Sequence, residues 1–133
     1  MLLKQHEDLT GKIIGCAYKV YNTMGFGFLE SVYEKCMMIE LGKLGLEIKA
    51  QHTITVYYDS QVVGEFFADL WVQEAVIVEL KSVRAIVPAH ETQLVNYLKA
   101  TGKDVGLVIN FCESKVEVKR KVRELPPTVQ NDS

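Results

Sequence analysis

Two acidic residues and a lysine, Asp69, Glu79 and Lys81, are the side chains of this sequence best suited to do chemistry together. Glu79 and Lys81 lie two residues apart near the end of a short apolar run, so strand alternation puts both on one face. A turn near Glu74 brings Asp69 opposite Glu79, to within about one residue of register. Directly opposed side chains have Cβ atoms about 5 Å apart, so the two carboxylates must interact.

Two carboxylates at that distance repel each other, and partial burial of the sheet strengthens the repulsion. Two groups could compensate: a divalent cation such as Mg²⁺, which prefers hard oxygen ligands, or the ammonium of Lys81 alone. The pattern is loose, since a Glu–Lys pair two residues apart on a strand is often a solvated pair. By itself the trio therefore leaves a metal-assisted phosphodiesterase and a structural ion cluster both open.

Two further motifs supply polar groups that the same site could use. Glu30 and Tyr33 follow Gly27 at the start of a predicted helix, although an acid there also favours the helix dipole and Tyr33 could belong to the core. Gln93 and Tyr97 are four residues apart on a later helix and therefore share a face. A Gln–Tyr face aimed at the end of the Glu79 strand indicates a polar site there.

A helical hairpin, an antiparallel meander and a crossover helix are predicted to position these residues. The predicted helices are Glu7–Thr23, Phe28–Leu44 and Ala89–Thr101, and the predicted strands are Glu47–Tyr58, Gln61–Trp71, Val76–Lys81, Val105–Phe111 and Lys115–Val122. This order, ααβββαββ, is an α/β (α+β) arrangement in which a mixed sheet is flanked by helices. One domain over residues 1–125 is expected, followed by a disordered tail over 126–133.

Composition argues against a membrane-spanning chain and against a strongly basic nucleic-acid binder. The 133 residues carry a formal net charge of −2. No apolar run approaches the roughly 18 residues that span a bilayer. The N-terminal segment lacks the apolar stretch of a signal peptide, so a cytoplasmic location is expected. Three cysteines without paired spacing indicate reduced thiols and no zinc site.

Positive charge gathers late in the chain, at Lys115, Lys119, Arg120, Lys121 and Arg123. A solvated strand face accounts for this run, and so does a surface that follows the phosphates of a nucleic acid. Both interpretations stay open at this point.

The motifs together resemble those of the GxxExxY family, a compact branch of the PD-(D/E)XK nuclease-like superfamily with a restriction-endonuclease-like fold. The resemblance spans about Leu9 to Val122. The residues that carry it are Gly27, Glu30 and Tyr33; Ala68, Asp69 and Leu70; Val78, Glu79, Leu80 and Lys81; Gln93 and Tyr97; and the run Gly106–Phe111. The superfamily's proline before the first acid is absent, because Ala68 stands there.

The resemblance implies a catalytic role for each matched polar residue. Asp69 and Glu79 would hold Mg²⁺ or Mn²⁺, with the carbonyl of Leu80 as a further ligand. Lys81 would orient the attacking water and offset negative charge in the transition state. Glu30 would reach the site from its helix.

The resemblance also implies groups that contact the substrate. Gln93 would support the lysine or contact a phosphate, and Tyr97 would line the same wall. Lys119 and Arg120, from the basic run, are candidate substrate contacts.

A metal-dependent nuclease acting on DNA, with RNA as a second substrate class, is therefore the leading hypothesis. The alternative is a module with the same fold that binds nucleic acid or assembles with other proteins without cleaving. The mildly acidic balance favours a groove completed by a partner protein or by a homodimer through the N-terminal helices.

Overall fold

The structure, a computed structural model, describes residues 2–123, and for residues 2–5 it describes the backbone alone. Its elements are α1 (Leu2–Met24), α2 (Glu30–Lys43), β1 (Ile48–Tyr58), β2 (Gln61–Val72), β3 (Val76–Lys81), α3 (Pro88–Thr101), β4 (Val105–Phe111) and β5 (Val116–Val122). The predicted order and the α+β class are confirmed. The predicted tail, residues 126–133, lies outside the described residues.

The five strands form one mixed sheet in the order β1-β2-β3-β4-β5. The pairs β1–β2, β2–β3 and β4–β5 are antiparallel, whereas β3 and β4 are parallel. A parallel pair needs a crossover, and α3 provides it. The helix begins with Pro88 in its first turn, where Nδ1 of His90 accepts the N–H of Val87. It ends at Gly102, which has a φ of 74°.

Helices α1 and α2 cover one face of the sheet. Their buried side chains meet Leu70, Val78 and Leu80 from the central strands. The ring of Tyr33 from α2 stacks on Phe111 of β4, with 4.1 Å between the centroids and 4° between the planes. Even-numbered positions of β3 therefore face this layer, as alternation predicts.

Helix α3 covers the other face, where Ile77 of β3 and Val108 of β4 pack against Leu94 and Leu98. The approach is close at Gly106: a Cβ there would lie 2.7 Å from Cδ1 of Leu94 and 3.1 Å from the carbonyl oxygen of Ile77. The glycine thus sets the spacing between α3 and the sheet. Glu79 and Lys81 follow Ile77 in alternation and belong to this face.

Two details of the helical hairpin differ from the predictions. Helix α1 begins at Leu2 rather than Glu7, because nothing in the preceding residues breaks a helix. Leu29, which falls within the predicted helix Phe28–Leu44, instead precedes the first helical turn as its N-cap and is 77% exposed. Within the described residues, no helix is both long and apolar enough to cross a membrane.

Candidate active site

The candidate site forms where β2 and β3 separate. Their ladder ends at Leu70 opposite Val78. Beyond that point, side chains bridge the two strands: the backbone N–H of Leu80 donates to Oδ2 of Asp69 at 2.7 Å, and the N–H of Asp69 donates to Oε2 of Glu79 at 3.1 Å. Asp69 and Glu79 therefore lie side by side, in the register that the hairpin predicts.

The carboxyl group of Glu79 is buried, with 6% of the residue exposed. Burial raises the pKa of Glu79 to about 8, and the charges of Asp69 and Glu30 add to the rise. The hydrogen bond from the Asp69 backbone and the charge of Lys81 oppose it, but desolvation dominates. In the absence of a cation, Glu79 therefore carries a proton at neutral pH.

Three other predicted residues lie within electrostatic range of this pair. Lys81 follows Glu79 on the same strand face, and its charge lowers the pKa of Glu79. Glu30 stands in the first turn of α2 and acts on Glu79 through its charge. Tyr97 comes from α3, and burial together with the charges of Glu79 and Asp69 raises the pKa of its hydroxyl. Lys81 and Glu30 thus act on the pKa of Glu79 through their charges, and the pair in turn acts on Tyr97.

Gln51 of β1 is a site residue that the sequence patterns do not indicate. Its side-chain amide donates to Oε1 of Glu34 at 2.7 Å and to Oδ1 of Asp69 at 3.2 Å. Its backbone has a φ of 51°, a left-handed conformation that costs a non-glycine residue about 1 kcal/mol. The N–H of Leu80 orients Oδ2 of Asp69, and the amide of Gln51 orients Oδ1. Both carboxylate oxygens of Asp69 are therefore fixed in direction.

The loop after β3, residues 82–87, is held by side chains of β4 and β5. Asn110 accepts the N–H of Val83 and donates to its carbonyl, both at 2.9 Å. Glu117 accepts the N–H of Ile86 at 3.0 Å, and that bond is the main reason why the pKa of Glu117 is lowered. The backbone that follows Lys81 is therefore fixed although it forms no helix or strand.

The loop between α1 and α2 is fixed by Tyr33. Its hydroxyl donates to the carbonyl of Gly25 at 2.6 Å and accepts the N–H of Phe28 at 3.3 Å. The carbonyl of Phe28 in turn accepts the hydroxyl of Ser82, directly after Lys81, at 2.7 Å. Tyr33 is thus a scaffold residue that aligns the start of α2, and with it Glu30, against the end of β3.

Three predicted residues lie outside this group. Gln93 is exposed and lines a cleft beside Tyr97, and among the hydrogen bonds of residues 6–123 none joins it to Asp69 or Glu79. Lys119 lies in the same row of the sheet as Glu79, two strands away, which is about 10 Å. Arg120 lines a separate cleft between α3 and β5. Their substrate contacts stay predictions.

The donors present fit a divalent cation. Asp69 and Glu79 supply carboxylate oxygens, which Mg²⁺ and Mn²⁺ prefer. A cation would also remove the cause that keeps Glu79 protonated, because it compensates both desolvation and the repulsion from Asp69. In the part of the chain that the structure describes, no three Asp, Glu, His or Cys side chains converge. Further ligands would therefore be oxygens of another kind, such as the carbonyl predicted at Leu80.

Comparison with known proteins identifies the superfamily of this chain. In a search of curated proteins, none matches the chain. A solved structure described as "Crystal structure of SSO0001" shares the fold, with a TM-score of 0.55 and 15% identity over 73% of this chain. The chain spans about half of that protein, 52% of its length. The profile of the PD-(D/E)XK nuclease superfamily matches residues 7–121, which include every residue of the candidate site described above, and the chain belongs to this superfamily.

Proposed function

We propose that this protein is a nuclease that hydrolyses phosphodiester bonds of DNA with Mg²⁺ or Mn²⁺. One observation carries the proposal: the carboxylates of Asp69 and Glu79 each accept a backbone N–H from the other's strand, and Lys81 follows Glu79 on the same strand face. Superfamily membership supports the reaction class, since members are usually nucleases that use divalent metals.

Each site residue has a role in this proposal. Asp69 and Glu79 hold the cation, and Glu79 must lose its proton to do so. A cation held there would supply polarisation of the scissile phosphate and would offset its charge. Lys81 orients the attacking water and stabilises the negative charge that develops on the phosphate. Glu30 acts on Glu79 from α2 through its charge.

The finer assignment to the GxxExxY branch belongs to the same proposal. It is supported by the spacing of Gly27, Glu30 and Tyr33 and by the way Tyr33 aligns the helix that carries Glu30. Gly27 has a φ of 102°, a conformation that favours glycine, so the motif's glycine also has a structural reason.

The test is cleavage of labelled single-stranded DNA, double-stranded DNA and RNA in the presence of Mg²⁺, Mn²⁺ or EDTA. Lys81→Ala and Asp69→Asn should each lower the rate by about 10²-fold or more. Their matched controls are Lys12→Ala, on the exposed side of α1, and Asp59→Asn, in the β1–β2 turn, and both should cleave like the parent. Metal-dependent cleavage that persists unchanged in Lys81→Ala and Asp69→Asn would contradict the site.

The alternative, a module that binds nucleic acid without cleaving it, predicts a different outcome. In that case no substrate is cleaved at any metal concentration, whereas binding to one of them is measurable by fluorescence anisotropy. Such a result would overturn the nuclease proposal and leave the fold assignment intact.

A further inference from the structure

A cleft of about 910 Å³ lies between α3 and the outer half of the β1–β2 hairpin. This part of the hairpin extends past the end of the β2–β3 ladder, so β3 does not border it. The described residues that line the cleft are Val56, Tyr57, Phe66, Ala89, Thr92, Gln93, Asn96, Tyr97, Lys99 and Ala100. Its volume is in the range of small-molecule sites, about 300–1,000 Å³.

Aromatic faces and neutral amides dominate the cleft. Tyr57 is 64% and Phe66 44% exposed, so both rings are accessible to solvent. Phe66 also contacts the ring of Tyr97, with centroids 5.7 Å apart. Gln93 and Asn96 add side-chain amides that can donate and accept hydrogen bonds. No acidic residue is among the described lining residues. The cleft therefore does not repel a ligand that carries a negatively charged phosphate.

The local register explains why so many of these groups reach one cleft. Strand pairing shifts between Val56 and Tyr57, where Val63 is an extra residue in β2. Val56 and Tyr57, on the β1 side of this shift, both line the cleft. Phe66 opposes Ile54, which is buried under α3, so the ring of Phe66 is on the same side.

Tyr97 is shared by the cleft and the candidate active site. One part of its side chain lines the cleft, and its hydroxyl is close enough to Glu79 and Asp69 for their charges to affect it. A group bound in the cleft would therefore lie next to the carboxylate pair.

We propose that this cleft binds an unpaired nucleobase next to the phosphodiester at Asp69 and Glu79, so that single-stranded or locally unpaired nucleic acid is the preferred substrate. The inference rests on the proposed function and specifies its substrate. Rings of exposed Tyr and Phe stack on bases of any sequence, whereas bases within a duplex have their faces covered by their neighbours. Amides such as those of Gln93 and Asn96 recognise base edges, which an unpaired base also leaves free.

The test is fluorescence anisotropy with a labelled strand of about 12 nucleotides, within the site size of known single-strand binders, and with the corresponding blunt duplex. Ca²⁺ replaces Mg²⁺ so that binding is measured without cleavage. The parent should bind the single strand more tightly than the duplex. Tyr57→Ala and Phe66→Ala should each weaken single-strand binding about 5- to 150-fold, the range expected when stacking on one aromatic ring is lost.

The hairpin offers matched controls for both substitutions. Tyr58 is 76% and Phe67 56% exposed, and neither lines the cleft. Tyr58→Ala and Phe67→Ala should leave the dissociation constant within about twofold, while Tyr57→Phe and Phe66→Tyr, which keep the rings, should retain binding. Equal losses in all four alanine variants, or duplex bound as tightly as single strand, would overturn the proposal.

Three further outcomes distinguish this inference from the nuclease proposal and from a protein interface. If oligonucleotide binding depends on Tyr57 and Phe66 but nothing is cleaved in Mg²⁺ or Mn²⁺, the cleft stands and the nuclease assignment falls. If the protein cleaves nucleic acid and its binding does not depend on Tyr57 or Phe66, the nuclease assignment stands and the inference about the cleft is wrong. If the two alanine variants instead change the sedimentation of the free protein and not its affinity for the strand, the surface is a protein interface and the inference is wrong.

Discussion

Asp69 donates its backbone N–H to the Glu79 side chain at 3.1 Å, so the two acids are connected before any cation binds. The bond keeps Oε2 of Glu79 directed at β2 in spite of the repulsion between the carboxyl groups. In the metal-free protein the repulsion is relieved by a proton on Glu79, whose pKa is raised to about 8 by burial and then by Asp69. Protonation, metal binding and stability should consequently be linked at this one residue.

The first prediction concerns the pH dependence of stability. The pKa of Glu79 is higher in the folded state than in the unfolded state, where it is near 4.5. Glu79 therefore does not lower the free energy of unfolding below pH 4.5. It lowers that free energy increasingly as pH rises from 4.5 to 8, and by a constant amount above pH 8. Glu79→Gln removes that cost. In EDTA its melting temperature should exceed the parent's by about 5 °C or more at pH 8 and should match it near pH 4.5.

Glu117 offers a control of opposite sign, because its pKa is lowered, mainly by the N–H of Ile86. Its ionised form stabilises the fold above pH 4.5, and that contribution disappears as pH falls through the lowered pKa. Glu117→Gln should therefore melt below the parent at pH 8. If Glu79→Gln lowered the melting temperature at pH 8 as much as Glu117→Gln does, ionisation of the buried Glu79 would not be destabilising the folded protein.

The second prediction concerns the cation. Mn²⁺ bound to the folded state alone raises stability by about 2.7 kcal/mol at one hundred times its dissociation constant. Since Glu79 must release a proton, the rise in melting temperature should be larger at pH 8 than at pH 6. Asp69→Asn should abolish it, whereas Asp59→Asn should not. A rise of the same size in Asp69→Asn would place the cation elsewhere.

The third prediction tests Gln51 as a positioning residue. Gln51→Gly relieves its left-handed backbone but removes the amide that holds Asp69 and Glu34. Stability should stay close to that of the parent, while calorimetry should show Mn²⁺ affinity lowered about tenfold, as for lost partners of metal ligands. Asp59→Gly, at a φ of 52° in the hairpin turn, is the matched control and should bind Mn²⁺ normally. Unchanged affinity in Gln51→Gly would show that the amide serves only the fold.

The fourth prediction concerns the contact between α3 and the sheet. Gly106→Ala places a methyl group 2.7 Å from Leu94 and 3.1 Å from a backbone oxygen, so overpacking should cost about 1–3 kcal/mol. Gly15→Ala is the control, since Gly15 lies in α1 with no atom within 4 Å of the added Cβ. It should stabilise the protein by about 0.5–1 kcal/mol through helix propensity. Urea unfolding measures both, and a neutral Gly106→Ala would mean that Leu94 repacks freely.

Local signals were sufficient to predict the order of the elements and the pairing of Asp69 with Glu79. The short connection between β2 and β3 allows few registers, and alternation then determines which side chains share a face. Glu79, Lys81 and Ile77 fall on the α3 face for that reason. The bounds of β3 and β4 agree with prediction because both are apolar runs with clear turns on either side.

Gln51 could not be found by the same reasoning. A hairpin closed by Tyr58 opposite Gln61 without any irregularity would set Gln51 against Ala68. The extra residue in β2 moves the register by one, so that Ala50 pairs with Leu70 and Gln51 meets Asp69. In the sequence, Gly64 indicates that a bulge could occur, but a glycine does not determine which strand carries the extra residue or how far the register shifts.

The loop over residues 82–87 has a consequence for measurements of backbone exchange. Irregular surface segments usually exchange their amide protons fast, yet the amides of Val83 and Ile86 are bound by Asn110 and Glu117. These two protons should exchange as slowly as those of β4 and β5. Opening the chain just after Lys81 thus requires β4 and β5 to loosen first, which makes this side of the sheet a part of the same cooperative unit as the strand that carries Glu79.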